Sequence, residues 1–440
     1  MNRFFAIVIA LCLVLVGART ASCQTLTLDQ AFGIALSGNP SIQAASARIH
    51  QARERVKQAR ADFFPTLTAT GNAESRRMSD TAFADVVQGV DQREESYDTG
   101  LLAQWTLFSG FETRHRHTAA LGALDQAAFD RADVERTLLS AVAEAYFNAQ
   151  LALKNRAIAQ ADKVFNQRQA VDADLKEKAG TGSLSDFLNF QIKVNAAQSN
   201  IESAAYGYGV ALSTLAQLMG GDDLHGTLFE PAALTPEQGA EMDLPDLGKL
   251  SGLALFTRPD IKYRQKAVEV ARENLAAARS GYWPTITLNA VVAAQRTGKS
   301  RFQSDDIGDR VSLGVVCPLF KGGGTRAGVG VALAVKAEAE KRLKGIEIEV
   351  VAGVRTACLT VVSAQNQLRL QRERARLVKE NRDLVEQEYL SGQVSLVRLN
   401  EAQKELTTAE GNLALSLVAL HRAWFRLKAA TGTIGKNTVP

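Results

Sequence analysis

The residues that could do chemistry are few, and their spacing works against it. His115 and His117 stand in the run RHRH, the best candidate pair of metal ligands. Residues two apart on a helix point in different directions, and no cysteine, aspartate or third histidine stands near, so both are read as solvated surface. The run Gly322, Gly323, Gly324 lacks the lysine and the serine or threonine that must follow the glycines of a phosphate loop. No nucleophile elbow or zinc-protease pattern occurs. No catalytic, cofactor-binding or metal site is expected, and the chain is read as no enzyme.

The cysteines speak of location. Arg3 precedes an apolar run over residues 4–16 that ends in small residues, the layout of a secretory signal peptide over residues 1–23. Cys12 leaves with it. Cys23 admits two readings, a lipid-modified mature N-terminus or an ordinary cleavage beside it, and Thr20 and Ser22 fit a lipobox poorly. Cys317 is expected in a strand and Cys358 deep in a long helix, too far apart for a disulfide. No later segment offers ~20 consecutive apolar residues, so a membrane crossing would have to use strands.

Composition narrows the class. With 46% hydrophobic residues the chain is no disordered polymer, and a net charge of +4 without basic blocks weighs against nucleic acid as a partner. Nine prolines leave two long gaps, from Pro65 to Pro231 and from Pro318 to Pro440. Strong helix formers fill both gaps, with apolar residues three and four apart, as in Leu138, Val142, Ala145, Ala149 and Leu153.

The chain also matches itself. Pro40, Ala52, Arg53, Glu54, Arg60, Pro65 and Thr66 recur as Pro259, Ala271, Arg272, Glu273, Arg279, Pro284 and Thr285. Further on, Leu107, Phe108, Gly110, Thr113, Gly180, Ser183 and Gly220 recur as Leu319, Phe320, Gly322, Thr325, Gly392, Ser395 and Gly432. The spacing between partners shortens between these two sets, so only that connection tolerates a length change, as an exposed loop would.

Repeat one then covers 24–220, with a helix, a strand pair in 63–108 and long helices at 112–179 and 184–219. Repeat two covers 247–431, with a helix, a strand pair in 283–320 and long helices at 325–391 and 395–431. An inter-repeat segment, 221–246, is expected as an irregular belt, and 432–440 is a tail. Leu67, Leu101, Trp105, Leu288 and Leu313 alternate with Thr66, Thr68, Gln104, Thr287 and Ser312, the dyad of a barrel wall between lipid and water. Four strands cannot close a barrel and must be shared among chains, because open edges in lipid leave backbone groups unsatisfied. Each long helix would reach roughly 100 Å and must pack beside others in coiled-coil fashion. Gly110 and Gly322 mark strand-to-helix corners that need unusual backbone angles.

These stretches resemble the TolC-type outer membrane efflux family over nearly the whole mature chain. LDQAFGIALSGNPSIQAA is similar to its opening segment, ARADFFPTLT and AARSGYWPTIT to its helix-to-strand approach, and WTLFSGFETR and CPLFKGGGTR to its strand-to-helix exit. AGTGSLSDFLNFQ and YLSGQVSLVRLNEAQ are similar to its helical-hairpin turn. The resemblance implies a membrane α/β fold: a homotrimer with a twelve-stranded barrel, four strands per protomer, continuous with a twelve-helix periplasmic barrel. It implies an outer-membrane channel that takes cargo from an inner-membrane pump or ABC transporter through a periplasmic adaptor, in tripartite efflux or type I secretion.

On this reading Gly180, Ser183, Gly392 and Ser395 form adaptor-docking turns, while Asp186, Tyr389, Arg398 and Glu401 form a periplasmic gate. Arg398 stands where the family usually has an acid. The rival reading is a periplasmic coiled-coil scaffold or adaptor, against which the strand pairs argue.

Overall fold

A computed structural model describes residues 24–77, 93–221, 229–234, 246–298 and 300–435. The signal segment, Cys12 and Cys23, most of the inter-repeat belt and the end of the tail lie outside the described residues. In order, the elements are β1 (Gln24–Leu26), α1 (Leu28–Gly38), α2 (Pro40–Ala61), β2 (Thr66–Arg77), β3 (Arg93–Ser109), α3 (Glu112–Lys178) and α4 (Leu184–Met219). There follow β4 (Phe229–Pro231), α5 (Leu247–Thr257), α6 (Pro259–Arg279), β5 (Thr285–Thr297), β6 (Ile307–Val316), α7 (Gly324–Leu390) and α8 (Leu396–Thr431). The helices α3 and α7 have 67 residues each, and α4 and α8 have 36 each.

The chain divides into two compact units. One holds the described parts of Met1–Ala44, Ala132–Arg258 and Glu349–Pro440; the other holds Ala45–Arg131 and Pro259–Ile348.

In the first unit the apolar stripe read from the sequence is the core. Leu138, Val142, Ala145 and Ala149 of α3 are buried, and Leu139, Tyr146 and Phe147 join them against Phe32, Leu215, Met219 and Val418. Burying each large side chain of this kind contributes about 1.5–3 kcal/mol. Thr27 opens α1 with a reciprocal cap: its hydroxyl accepts from Gln30 N–H at 3.3 Å and its own N–H donates to Gln30 Oε1 at 2.9 Å. Where α1 ends, Asn39 Nδ2 donates to the Leu218 carbonyl at 2.7 Å, and α4 stops at Gly220 with φ +84°. The end of α5 meets the end of α8 in the same way, with Thr257 Oγ1 donating to the Thr431 carbonyl and Arg258 Nη1 to the Ala430 carbonyl.

β1 and β4 form a short parallel ladder, Leu26 opposite Pro231. Tyr146 fastens it to α3, donating to the Leu26 carbonyl at 2.8 Å and accepting from Ala232 N–H at 3.2 Å.

The second unit holds an antiparallel sheet in the order β2-β3-β5-β6. Its register aligns Leu67 with Ala103, Ala103 with Ala290 and Ala290 with Val311, and likewise Trp105 with Leu288 and Leu288 with Leu313. The next row in register, Thr66, Gln104, Asn289 and Ser312, is polar. Because alternate residues face opposite sides, one face is apolar and the other polar at this level. The apolar face is exposed within the protomer: Leu67 is 72% and Val311 71% exposed. Among the described residues, no helix is long and apolar enough to cross a membrane.

Three expectations are corrected. The strand pairs expected at 63–108 and 283–320 begin later, at Thr66 and Thr285, and while the first runs on to Ser109 the second ends at Val316. Phe63 and Trp283 sit ahead of Pro65 and Pro284, and β6 stops at Val316, before Pro318, which cannot donate to a ladder. Cys317 is therefore exposed just past a strand and not within it. The histidines are half-buried links and not solvated surface. His115 Nδ1 lies 2.8 Å from Glu273 Oε2 on α6, and His117 packs edge-on against Phe63 at 5.7 Å.

Candidate functional site

The residues expected to form the gate and the docking turns lie where α3 gives way to α4 and α7 to α8, all within the first unit. At the end of α3 the N–H groups of Thr181 and Gly182 both bond to the Lys176 carbonyl at 2.9 Å, while Gly180, with φ +73°, bonds to Glu177. At the end of α7, Gln393 N–H bonds to the Glu388 carbonyl at 2.8 Å and Gly392 has φ +77°. These carbonyls would otherwise be left open at a helix end, and the left-handed residue that closes them is most easily glycine.

A side chain at Gly180 or Gly392 would meet open space, so backbone conformation requires glycine there, and crowding does not. Gly182, which the sequence did not single out, is the crowded position. A Cβ there would lie 2.7 Å from Lys176 Cβ. Ser183 caps α4 by accepting from Ser185 N–H at 3.1 Å, whereas Ser395 caps α8 through its carbonyl, which accepts from Arg398 N–H at 3.0 Å.

The four helices meet in an apolar cluster built on Ala170, Phe190, Val385, Leu399 and Ala402. Tyr389 lies against it, its ring 6.5 Å from that of Phe190 and 5.4 Å below the Lys176 ammonium. Burial pushes the Tyr389 phenol above its ordinary value, and the carboxylates of Asp186 and Asp172 push the same way. Asp186 and Tyr389 are thus brought together. Arg398 instead reaches Glu401 on its own helix, at 3.9 Å and well exposed, and among the described residues no ion pair joins it to Asp186 within the protomer.

Periodicity alone did not reveal the polar links just above this cluster. Gln403 Nε2 donates to Asp162 Oδ1 at 2.8 Å, Asn400 Nδ2 to Asn189 Oδ1 at 3.1 Å, and Gln169 Nε2 to Glu386 Oε1 at 3.1 Å. Gln169 and Gln403 are both buried. The one available signal was a polar residue recurring on a buried stripe. Between α3 and α4 runs a groove of about 450 Å³ lined by Ala170, Val171, Asp174, Phe187 and Gln191.

At the other end of the long helices, Gly110 and Gly322 have φ of +65° and +58°. A Cβ at Gly110 would lie 2.6 Å from Trp283 Cβ, so that corner needs glycine twice over. No group of three or more metal-ligating side chains occurs among the described residues.

A four-stranded sheet and long helices closed by glycine turns are what the chain brings to the comparison with known families. The model of the outer membrane efflux protein family matches residues 32–221 and 250–433. The chain belongs to the outer membrane efflux protein family. It is similar to the pyoverdine export outer membrane protein OpmQ of Pseudomonas aeruginosa, 25% identical over 415 residues covering 92% of this chain and 83% of that protein. It is also similar to the alkaline protease secretion protein AprF of Pseudomonas aeruginosa, 27% identical over 432 residues covering 93% and 85%. Its fold is like that of the Campylobacter jejuni CmeC outer membrane channel, with a TM-score of 0.80 at 16% identity over 92% of this chain and 85% of that one. As an outer membrane efflux protein, the chain is an outer-membrane channel component of an efflux or secretion system, and the coiled-coil scaffold reading falls away.

Proposed function

We propose that the protein works as a homotrimer in which three four-stranded sheets close one twelve-stranded barrel and the long helices close a periplasmic tunnel of twelve helices. The sheet carries this reading: β2 and β6 each have one unpaired edge among the described residues, and the apolar face has no cover in the protomer. In lipid an unpaired edge costs several kcal/mol per backbone group, so each edge needs another copy's. The protein conducts and does not catalyse.

Cargo reaches it from an inner-membrane pump or ABC transporter through a periplasmic adaptor seated at the turns of Gly180, Ser183, Gly392 and Ser395, where the groove beside Phe187 offers a seat. The similar proteins are named for cargo as different as pyoverdine and a protease, so selection belongs to the pump and this chain accepts what fits.

Asp186, Tyr389, Arg398 and Glu401 narrow the tunnel at this end. Single exposed ion pairs are worth only about 0–1 kcal/mol, so closure depends on several together and weakens with salt. Single-channel recording tests both claims. The parent trimer is expected to conduct little, and Asp186→Ala with Arg398→Ala to conduct more. An unchanged small conductance rejects these residues as the constriction, and a conducting monomer in detergent mass measurement rejects the trimer.

A further inference from the structure

The four corners between strands and helices lie at one end of the sheet, because β2 and β5 begin where β3 and β6 end: Thr285 pairs with both Ser109 and Val316. The corner segments expose large apolar side chains, Phe64 at 58%, Trp283 at 56% and Phe320 at 87%. Beside them stand Arg60, Arg114, Arg279, Lys321 and Arg326, all exposed and, among the described residues, none with a carboxylate partner. The corners carry two acids, Asp62 and Glu112, and Glu112 is already paired with Arg116.

The far end of the sheet differs. There, among the described residues, Glu74, Glu94, Glu95, Asp305, Asp306 and Asp309 equal in number the arginines Arg76, Arg77, Arg93, Arg296, Arg301 and Arg310, and Arg296 binds Asp306 at 2.8 Å. Among the described residues, an excess of positive over negative charge beside exposed aromatics therefore stands at the helix side of the sheet.

We propose that this basic collar binds the anionic headgroups of glycerophospholipids in the periplasmic leaflet of the outer membrane, with the aromatics seated at the acyl boundary below them. The inference rests on the sheet being the membrane-embedded part. Aromatic rings suit the boundary between headgroup and chain, and exposed arginine and lysine there gain by facing phosphate. Charge complementarity selects the occupant. A neutral lipid surface would satisfy the rings and leave the guanidinium groups with nothing to pair.

The test offers the purified protein to vesicles of phosphatidylcholine alone and of phosphatidylcholine with phosphatidylglycerol, at low and high salt, and follows insertion by flotation. Insertion into the anionic vesicles is expected to be about tenfold faster or more at low salt. That preference is expected to collapse at high salt. It is also expected to vanish in the variant Arg60→Gln, Arg279→Gln, Lys321→Gln, Arg326→Gln, which still inserts into phosphatidylcholine. The companion variant Arg60→Lys, Arg279→Lys, Arg326→Lys keeps the charge and is expected to keep the preference. If the glutamine variant fails to fold, the lysine variant and the salt response decide. Equal insertion of the parent into both vesicles overturns the collar and leaves the membrane sheet standing, as does a preference indifferent to salt or retained by the glutamine variant. Insertion into neither vesicle removes the sheet's membrane role and the collar with it.

Discussion

Tyr146 joins segments that the sequence places far apart: one hydroxyl touches both the Leu26 carbonyl and the Ala232 N–H. Tyr146→Phe keeps the ring in its buried site and removes only those bonds, so the loss is expected to be about 1–2 kcal/mol, read as a lower denaturant midpoint. An unchanged midpoint would mean that the bond between Ala232 N–H and the Leu26 carbonyl, at 3.0 Å, suffices alone. Tyr389 makes a prediction of opposite character. Its phenol is raised above an ordinary value of 10.0 by burial and by Asp186 and Asp172. The folded state therefore holds its proton more tightly than the unfolded one. Stability from this group is full below about pH 10 and falls as pH climbs through the raised folded value. Ultraviolet titration of the parent against Tyr389→Phe is expected to show a late-titrating phenol, and a phenol titrating at its ordinary value would remove the argument.

Among the elements, the two hairpin turns make a ranked prediction. Gly392→Ala pays only for a left-handed conformation, about 1 kcal/mol, because its surroundings are open. Gly182→Ala drives a methyl into the stem and backbone of Lys176 and is expected to cost more, measurable as the larger drop in thermal midpoint. The ends of these helices were legible because local rules set them. The prolines confine the strands, glycine closes α3 and α7, and expected bounds of 112–179 and 325–391 compare with Glu112–Lys178 and Gly324–Leu390. The partners across helices were not legible. Asp162 finds Gln403, His115 finds Glu273 and Asn189 finds Asn400 across long stretches of chain. A helical period tells which face is buried and not what lies opposite. It does foresee the pair that Arg398 makes with Glu401, three residues on along one helix face, while Asp186, at the matching place in repeat one, is not its partner among the ion pairs of the described residues.

For the whole molecule, the number three is absent from any local pattern, since it depends on how many sheets complete a ring. Mass measurement in detergent is expected to give about three protomers, and dilution is expected to trap protomers that expose β2 and β6 before they insert. Those two open edges have a genetic consequence. Each sheet takes its missing hydrogen bonds from two neighbours, so in the proposed ring a copy damaged at either edge spoils a seam and leaves the whole ring open. When normal and edge-damaged copies are made in equal amounts and mix freely, roughly one ring in eight holds only normal copies. A lesion confined to β2 or β6 should therefore behave as dominant, whereas a lesion that prevents the protomer from folding at all should be recessive.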